Sequence, residues 1–378
     1  MKEFSINWRQ RLRQVDFILA GASVCMALYG LVVIYSATRT YDSLQYVIIQ
    51  ASAILLGIAG MLVVSLTDLD RFVRRFRIPL FCLACVMLVL TLLFGTGDGN
   101  RSWIRFSFMP IGIQPSEFVK ILFILTFAYH LSATAEKRNR PLTQLKLCLH
   151  AGLIMCLVIL QGDLGSALVF LFIFLAMLYS AGTSLWYFAG LTVAVAAASP
   201  LLWKCLNTYQ QKRILVGFQP ELDPLGYGYQ VIRSKYAISS GGFWGAGYLQ
   251  GATSQNPTPG ALPAKHTDMI FAVMAEEFGF IGVMLYLALL ILLVLSMLLL
   301  ARRLHGQMGG YICVGAAAVI IFQALENIGM CLGMLPVIGI TLPFMSYGGS
   351  SVFSLFLLIG VVLGSSNRSP GQTVLSLV

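Results

Sequence analysis

Apolar residues along this chain do not alternate with polar ones; they come in long blocks. Ten such blocks lie at about 17–36, 46–66, 78–95, 117–132, 146–160, 164–180, 184–203, 269–300, 310–332 and 347–366. Each runs for roughly 16 to 25 residues or more, the length a helix needs to cross about 30 Å of hydrocarbon. The pattern predicts an all-α, polytopic integral membrane protein with about ten transmembrane helices. The fifth and sixth blocks are separated only by Gln161-Gly162-Asp163, which reads either as a tight turn or as a break within one longer helix.

Between the seventh and eighth blocks the hydropathy collapses over 204–266, a stretch too long for a mere connector. Within it Gly228 to Ile238 has the apolar spacing of a short amphipathic helix lying on a membrane surface. The chain therefore reads as a single transmembrane domain over 1–378, with termini at 1–16 and 367–378 and one large extracytoplasmic loop.

Composition agrees, with 58% hydrophobic and 11% charged residues and a mean hydropathy of +0.83. These values exclude an ordinary soluble domain. The net charge of +10 is explained mainly by topology. Fifteen of the 25 Lys and Arg residues fall in alternate short segments: Lys2, Arg9, Arg11 and Arg13; Arg71 to Arg77; Lys137 to Lys146; Arg302 and Arg303; and Arg368. Such an excess marks the cytoplasmic side and puts both termini there. Basic residues spread so thinly form no aromatic-interleaved patch, so nucleic acid is not an expected partner. The charged lead before the first block precedes a full-length apolar run without a clear cleavage site, and reads as a span that stays. The eight cysteines read as packing residues, the Cys82 and Cys85 pair included.

Candidate chemistry gathers where polar groups meet the membrane on the extracytoplasmic side. Asp268 stands at the junction of a polar loop with the eighth block, bordered by Lys265 and His266, which would let it stay ionised while facing a cavity. It is the candidate general base; its alternative reading is a helix N-terminus capped by Thr267 or Asp268. Glu276 lies about 12 Å further along such a helix, so Glu276 and Glu277 read as helix supports. Glu117 and Lys120 stand three apart on one face, placed either to neutralise each other or to meet a ligand. Asp163 is a buried acid or the cap of the sixth helix. Arg101 and Trp103 suit a phosphate and a sugar face, or an interfacial anchor. In the long loop Arg213, Arg233 and Lys235 supply cations amid Tyr227, Tyr229, Tyr236, Trp244 and Tyr248. Glu326-Asn327 adds an internal polar site, and Ser346 opens a small-residue entry to the last helix, suited to close packing or to a nest of amides. Cations, aromatic faces and one acid suit an anionic, sugar-bearing amphiphile.

Several separated motifs carry a family resemblance: Gln114-Pro-Ser-Glu, Gly162-Asp-Leu-Gly, Asp223-Pro-Leu-Gly, Ser240-Gly-Gly, His266-Thr-Asp with Glu276-Glu277, Asn327-Ile-Gly-Met and Ser346-Tyr-Gly-Gly-Ser, in that order. Over nearly its whole length the chain resembles the SEDS proteins (shape, elongation, division and sporulation), with length and loops most like the RodA branch. The resemblance implies a peptidoglycan glycosyltransferase of ten spans, for cell elongation and shape. Such an enzyme polymerises lipid II and lipid-linked glycan with a class B penicillin-binding transpeptidase and other elongation-complex membrane proteins. It places the family's essential acid on Asp268, and Trp103, Glu117, Lys120 and Asp163 near the substrate. Two departures stand out: Gly162, where the family often has proline, and the Asn256-Pro-Thr-Pro-Gly260 run.

Joined, the two readings give a mechanism in which Asp268 deprotonates a sugar hydroxyl and undecaprenyl pyrophosphate departs. Arg101, Arg213, Arg233 or Lys235 would hold the leaving group, alone or with a divalent cation; no dedicated metal cage is visible, and no cofactor is otherwise expected. The rival readings are a flippase for the lipid-linked precursor, with Glu117, Lys120, Glu276 and Glu326 lining a path, and a non-catalytic scaffold for the transpeptidase. One-sided clustering of the polar groups favours chemistry at a surface.

Overall fold

The structure, a computed structural model, describes residues 17–97, 101–105, 112–205, 208–226, 228–256, 261–304 and 306–366. Both termini, Tyr227 and the 257–260 part of the proline-rich run lie outside the described residues.

Each apolar block becomes a helix. These are α1 (Phe17–Thr38), α2 (Gln45–Ser65), α3 (Leu69–Phe94), α4 (Pro115–Ala133), α5 (Pro141–Leu160), α6 (Leu164–Ser180) and α7 (Leu185–Cys205). After two helices of the long loop, α8 (Thr208–Phe218) and α9 (Tyr229–Gly241), come α10 (Ile270–Arg303), α11 (Met308–Cys331) and α12 (Gly349–Ser365). Seven of these are long and apolar enough to cross a membrane, and α6, α7 and α12 contribute shorter apolar segments. The chain is thus a polytopic helical membrane protein. The Gln161-Gly162-Asp163 segment is a tight turn: Gly162 takes φ +79° and Asp163 caps α6, accepting from the Ser166 N–H at 2.9 Å.

α4 and α11 are mostly buried and form the middle of the bundle. Around them α12 packs along α2, α10 along α1 and α11, and α3 along α4. The α2–α12 seam is close because it is lined by glycine: a Cβ at Gly57 would come 2.7 Å from the Phe356 ring, and one at Gly360 would come 2.7 Å from the Met61 carbonyl. Most other helices turn Leu, Ile, Val and Phe outward, as lipid-facing surfaces require. At one end of the bundle Arg77 lies over the Tyr129 ring, 5.0 Å from its centroid, and Arg138 donates to the Tyr311 hydroxyl at 3.0 Å. Those basic ends belong to α3, α4 and α11, whose opposite ends carry the candidate site.

The long block at 269–300 is not one uninterrupted helix. Gly279 breaks α10 with φ 62° and ψ −160°, conformations that favour glycine. A broken helix in a membrane needs new partners for its freed backbone groups. The Gly242 to Gly247 segment supplies them: Phe280 N–H donates to the Gly242 carbonyl at 3.0 Å, and the Ala246 and Gly247 N–H groups donate to the carbonyls of Glu276 and Glu277 at 2.8 and 3.1 Å.

Beside this break the two glutamates act as latches, as their distance from Asp268 suggested. Glu276, fully buried, accepts from the Thr253 and Ser254 N–H groups at 2.7 and 2.8 Å. Glu277 accepts from Ser36 Oγ at 2.5 Å and Gln255 Nε2 at 2.8 Å, tying α10 to α1. Glu276→Gln puts an NH2 group against backbone donors, a loss on the order of 1–3 kcal/mol or more for a charged acceptor. Hydrogen exchange should show it: the Thr253 and Ser254 amides are expected to lose protection while amides of α11 keep theirs. Equal protection in both segments would remove the latch role.

Candidate active site

At the end of the bundle away from the basic cluster, several segments converge on a cavity of about 860 Å³. The N-terminal turns of α4 and α6 form one wall. Glu117 and Lys120, one turn apart, form an ion pair of 2.7 Å, and Ser354 of α12 donates to the other Glu117 oxygen at 3.2 Å. Asp163 accepts from Ser166 Oγ at 2.8 Å and from Gln114 Nε2 at 3.2 Å while capping α6. A two-stranded hairpin over the cavity, β1 (Ile104–Arg105) and β2 (Gly112–Ile113), was not expected from the sequence. It brings Trp103 and Arg105 to the lining.

Opposite stand Asp268 and Arg213, both on the cavity. Asp268 sits on a turn just before α10, clamped through its main chain. Asn327 Nδ2 donates to the Asp268 carbonyl at 2.9 Å and to that of Ile340 at 2.7 Å, and Ser346 Oγ donates to the Thr267 carbonyl at 2.7 Å. The carboxylate itself is left free to face the cavity. Gly339, with φ +82°, keeps the space beside it open: a Cβ there would lie 3.5 Å from Asp268 Oδ2 and 3.9 Å from Arg213 Nη2. Although the side chain retains some open surface, the packed wall behind it dominates. Desolvation pushes the Asp268 carboxyl up to about 6, against the pull of the Arg213 guanidinium.

Charge compensation here differs from the sequence expectation. Lys265 turns away from Asp268, donating to Thr40 Oγ1 at 2.6 Å and the Ser254 carbonyl at 2.5 Å, over the Tyr41 ring and close to the Glu276 and Glu277 charges. His266 packs among Tyr41, Tyr46 and Tyr347, with ring centroids 5.7, 5.1 and 5.6 Å away. Burial, aided by the Lys265 charge, holds its pKa below the usual imidazole value, so at neutral pH the ring is uncharged. The positive charge beside Asp268 comes from Arg213, carried back over the cavity by α8.

Of the candidate residues, Trp103, Glu117, Lys120, Asp163, Arg213 and Asp268 share the cavity. Arg101, Arg233, Lys235, Lys265, His266 and Ser346 are not in its lining. Arg101 is exposed at the edge of the hairpin, its N–H bonded to the Gln161 carbonyl. Arg233 and Lys235 ride on α9, whose Val231, Ser234 and Ala237 face is buried against α10 and α11. Ser346 accepts from Leu342 N–H at 2.8 Å and so stiffens the loop behind Asp268. The structure adds Tyr46, Arg105, Gln114, Gln323, Thr341, Tyr347 and Ser351 to the lining. Tyr46 and Tyr347, 5.2 Å apart, give it an aromatic side. Among the described residues no group of three or more His, Cys, Asp and Glu side chains gathers to hold a metal.

A helical membrane bundle with a charged, aromatic-walled cavity at the end of its long loop defines the class. The particular family follows from comparison. A family model for cell cycle proteins of the FtsW, RodA and SpoVE type matches residues 16–369, and the chain belongs to this SEDS family. It is 33% identical over 368 residues to a probable peptidoglycan glycosyltransferase FtsW of Trichlorobacter lovleyi, covering 94% of each chain. It is 37% identical over 287 residues to the peptidoglycan glycosyltransferase MrdB of Escherichia coli K12, covering 75% of this chain and 76% of that one. Among solved structures it is similar to a chain of a peptidoglycan synthase complex described as coordinating polymerization and crosslinking. The TM-score is 0.80 at 28% identity, over 93% of this chain and 97% of that one.

Proposed function

We propose that the protein is a peptidoglycan glycosyltransferase that polymerises lipid II at the outer face of the bacterial cytoplasmic membrane, in the elongation branch of its family. The observation that carries this reading is Asp268: a carboxylate with its main chain clamped, its side chain free, a raised proton affinity, and a cation beside it on an open cavity.

In this reading Asp268 takes the proton from the 4-hydroxyl of the N-acetylglucosamine of an incoming lipid II. The freed oxygen attacks the anomeric carbon of the lipid-linked glycan. A new glycosidic bond forms as the bond from that carbon to the pyrophosphate oxygen breaks, so the centre inverts. Undecaprenyl pyrophosphate leaves with the electron pair, and Arg213, Arg105 and Lys120 are the cavity cations available to meet its charge. Tyr46, Tyr347 and Trp103 offer flat faces for the sugars. Arg101, Arg233 and Lys235 then serve the approach of the substrate. The basic end of the bundle is cytoplasmic by the positive-inside rule, which leaves the cavity outside and both termini inside. A class B penicillin-binding protein is the transpeptidase partner, within a larger elongation complex of membrane proteins. That assignment is supported by the named relatives and by the complex with which the fold is shared.

Purified protein, supplied with lipid II and its transpeptidase partner, is expected to yield glycan strands; consumption of none of the lipid II would overturn the reading. The acid limb of the rate gives a second check. The base works ionised, so kcat/KM should fall as pH drops through about 6, two units above where an ordinary aspartate would place it. A limb near pH 4 would show that Asp268 is not the titrating base.

A further inference from the structure

One face of α11 carries a set of buried oxygen atoms that the fold does not satisfy. Gln323, Glu326 and Asn327 follow the i, i+3, i+4 spacing of a single helix face. Each is at least 97% buried, at 1, 3 and 0% exposure. Gln323 Oε1 and Asn327 Oδ1 have no hydrogen-bond partner, and neither Glu326 carboxylate oxygen closes a hydrogen bond of good geometry, the Ile338 backbone N–H being the one donor near them. A buried, unpaired carboxylate is among the most costly arrangements a membrane protein can hold. Four buried acceptors on one face, with a single distant backbone donor among them, call for a group that satisfies them together.

The amide of Asn327 cannot simply be turned round. Its Nδ2 donates to two carbonyls, those of Asp268 and Ile340 at 2.9 and 2.7 Å, and a flip would set oxygen against oxygen at both. Oδ1 is therefore a true acceptor. Protonating Glu326 would add one donor for four acceptors. A water molecule would add two. A hard cation, which takes oxygen ligands in sixes to eights, satisfies the whole set.

Charge argues the same way. Glu326 lies within electrostatic reach of both Asp268 and Arg213, so two carboxylates share one poorly solvated region with one guanidinium. Second carboxylates in such a place repel unless positive charge is supplied. Gln323 lines the cavity that holds Asp268, while Glu326 and Asn327 lie one turn further along α11, so the cavity side is where an ion would enter. The ligand types are carboxylate and amide oxygen with no sulfur or imidazole, which suits Mg²⁺, Mn²⁺ or Ca²⁺ rather than zinc or copper.

We propose that Gln323, Glu326 and Asn327 form a divalent-cation site behind Asp268, opening on the cavity through Gln323. The site does not depend on the reaction assigned above. Its use there, as countercharge for the departing pyrophosphate, does rest on that reading.

The test is Mn²⁺ binding to the purified full-length protein in detergent, without lipid substrate, followed by electron paramagnetic resonance and by the thermal unfolding midpoint. The native protein is expected to bind Mn²⁺ saturably, to release it to excess Mg²⁺ or Ca²⁺, and to unfold at a higher temperature with the ion present. Glu326→Gln should raise the Kd for Mn²⁺ at least about tenfold, since even outer partners of a metal ligand cost 10–100-fold when lost. Gln323→Leu, which removes a ligand without touching the charge, should weaken binding in the same direction and guards against a misfolded Glu326 variant. Absence of saturable binding by the native protein would overturn the site. So would an unchanged Kd in folded Glu326→Gln, or a midpoint indifferent to Mn²⁺. Binding that is lost in the variants while the native protein makes no glycan would leave the site standing and remove the polymerase reading instead.

Discussion

Asp268→Asn is expected to lower glycan-strand formation from lipid II by about 10²–10⁴-fold, the range general-base catalysis supplies. The same change should raise the thermal stability of the protein at pH 7.5. Both effects come from one arrangement. The Asp268 carboxyl titrates near 6 where an ordinary aspartate titrates at 3.8, because the wall of the cavity desolvates it more than Arg213 compensates. A raised folded-state value means that the neutral form is favoured by folding. That contribution is fully present below about pH 4 and is lost as pH rises through about 6, so at pH 7.5 the ionised acid costs on the order of 3 kcal/mol. Asparagine is neutral and nearly the same size, so it removes the cost along with the base. A trade of stability for activity is common at catalytic sites. The rate is read with purified lipid II and the transpeptidase partner present, and stability by unfolding of the detergent-solubilised protein. An Asn variant that polymerises at the native rate would sink the assignment, and one that is inactive because it is unfolded would contradict the predicted gain in stability.

How far the sequence revealed this site depended on what each feature is made of. The ten apolar blocks were legible because membrane spans are the strongest local signal a chain carries. Acids and lysines at the ends of such blocks were legible for the complementary reason: they are costly there, so Glu117, Lys120, Asp163 and Asp268 stood out. Arg213 did not stand out from Arg233 and Lys235. All three are cations in one loop, and only the folding of α8 over the cavity and of α9 against α10 separates them. Lys265 misled because neighbours in sequence need not be neighbours in space. The Thr267 and Met269 N–H groups both return to the Ala264 carbonyl, and that turn carries Asp268 away from Lys265. The break at Gly279 was hidden for a similar reason. Glycine is common in membrane helices, and what opens this one is a second segment, Gly242 to Gly247, supplying hydrogen bonds from far along the chain. Tyr46 and Tyr347 resemble ordinary interfacial tyrosines until the fold sets them on the cavity.

The Glu117–Lys120 pair was open to two readings in the sequence, and its geometry predicts how they separate. At 2.7 Å and with side chains 7 and 4% exposed, the pair is buried, and Ser354 holds the second carboxylate oxygen. Removing one member leaves the other charged and alone, which costs about 3–5 kcal/mol. Glu117→Gln and Lys120→Met are each expected to lower the unfolding temperature markedly and to abolish polymerisation through loss of fold. Removing both members is different, because two buried charges replaced by apolar groups of similar volume often leave stability unchanged or higher. The double variant Glu117→Met with Lys120→Met should therefore recover the native unfolding temperature. Its activity then decides the role of the pair. Lys120 lines the cavity as well as bonding Glu117, and a reaction that expels a pyrophosphate draws on every cation it can reach. The double variant should fold and remain inactive, with lipid II still bound. Recovery of activity along with stability would instead make the pair a strut of the α4 turn, and would leave Arg213 and Arg105 as the cavity cations that meet the leaving group.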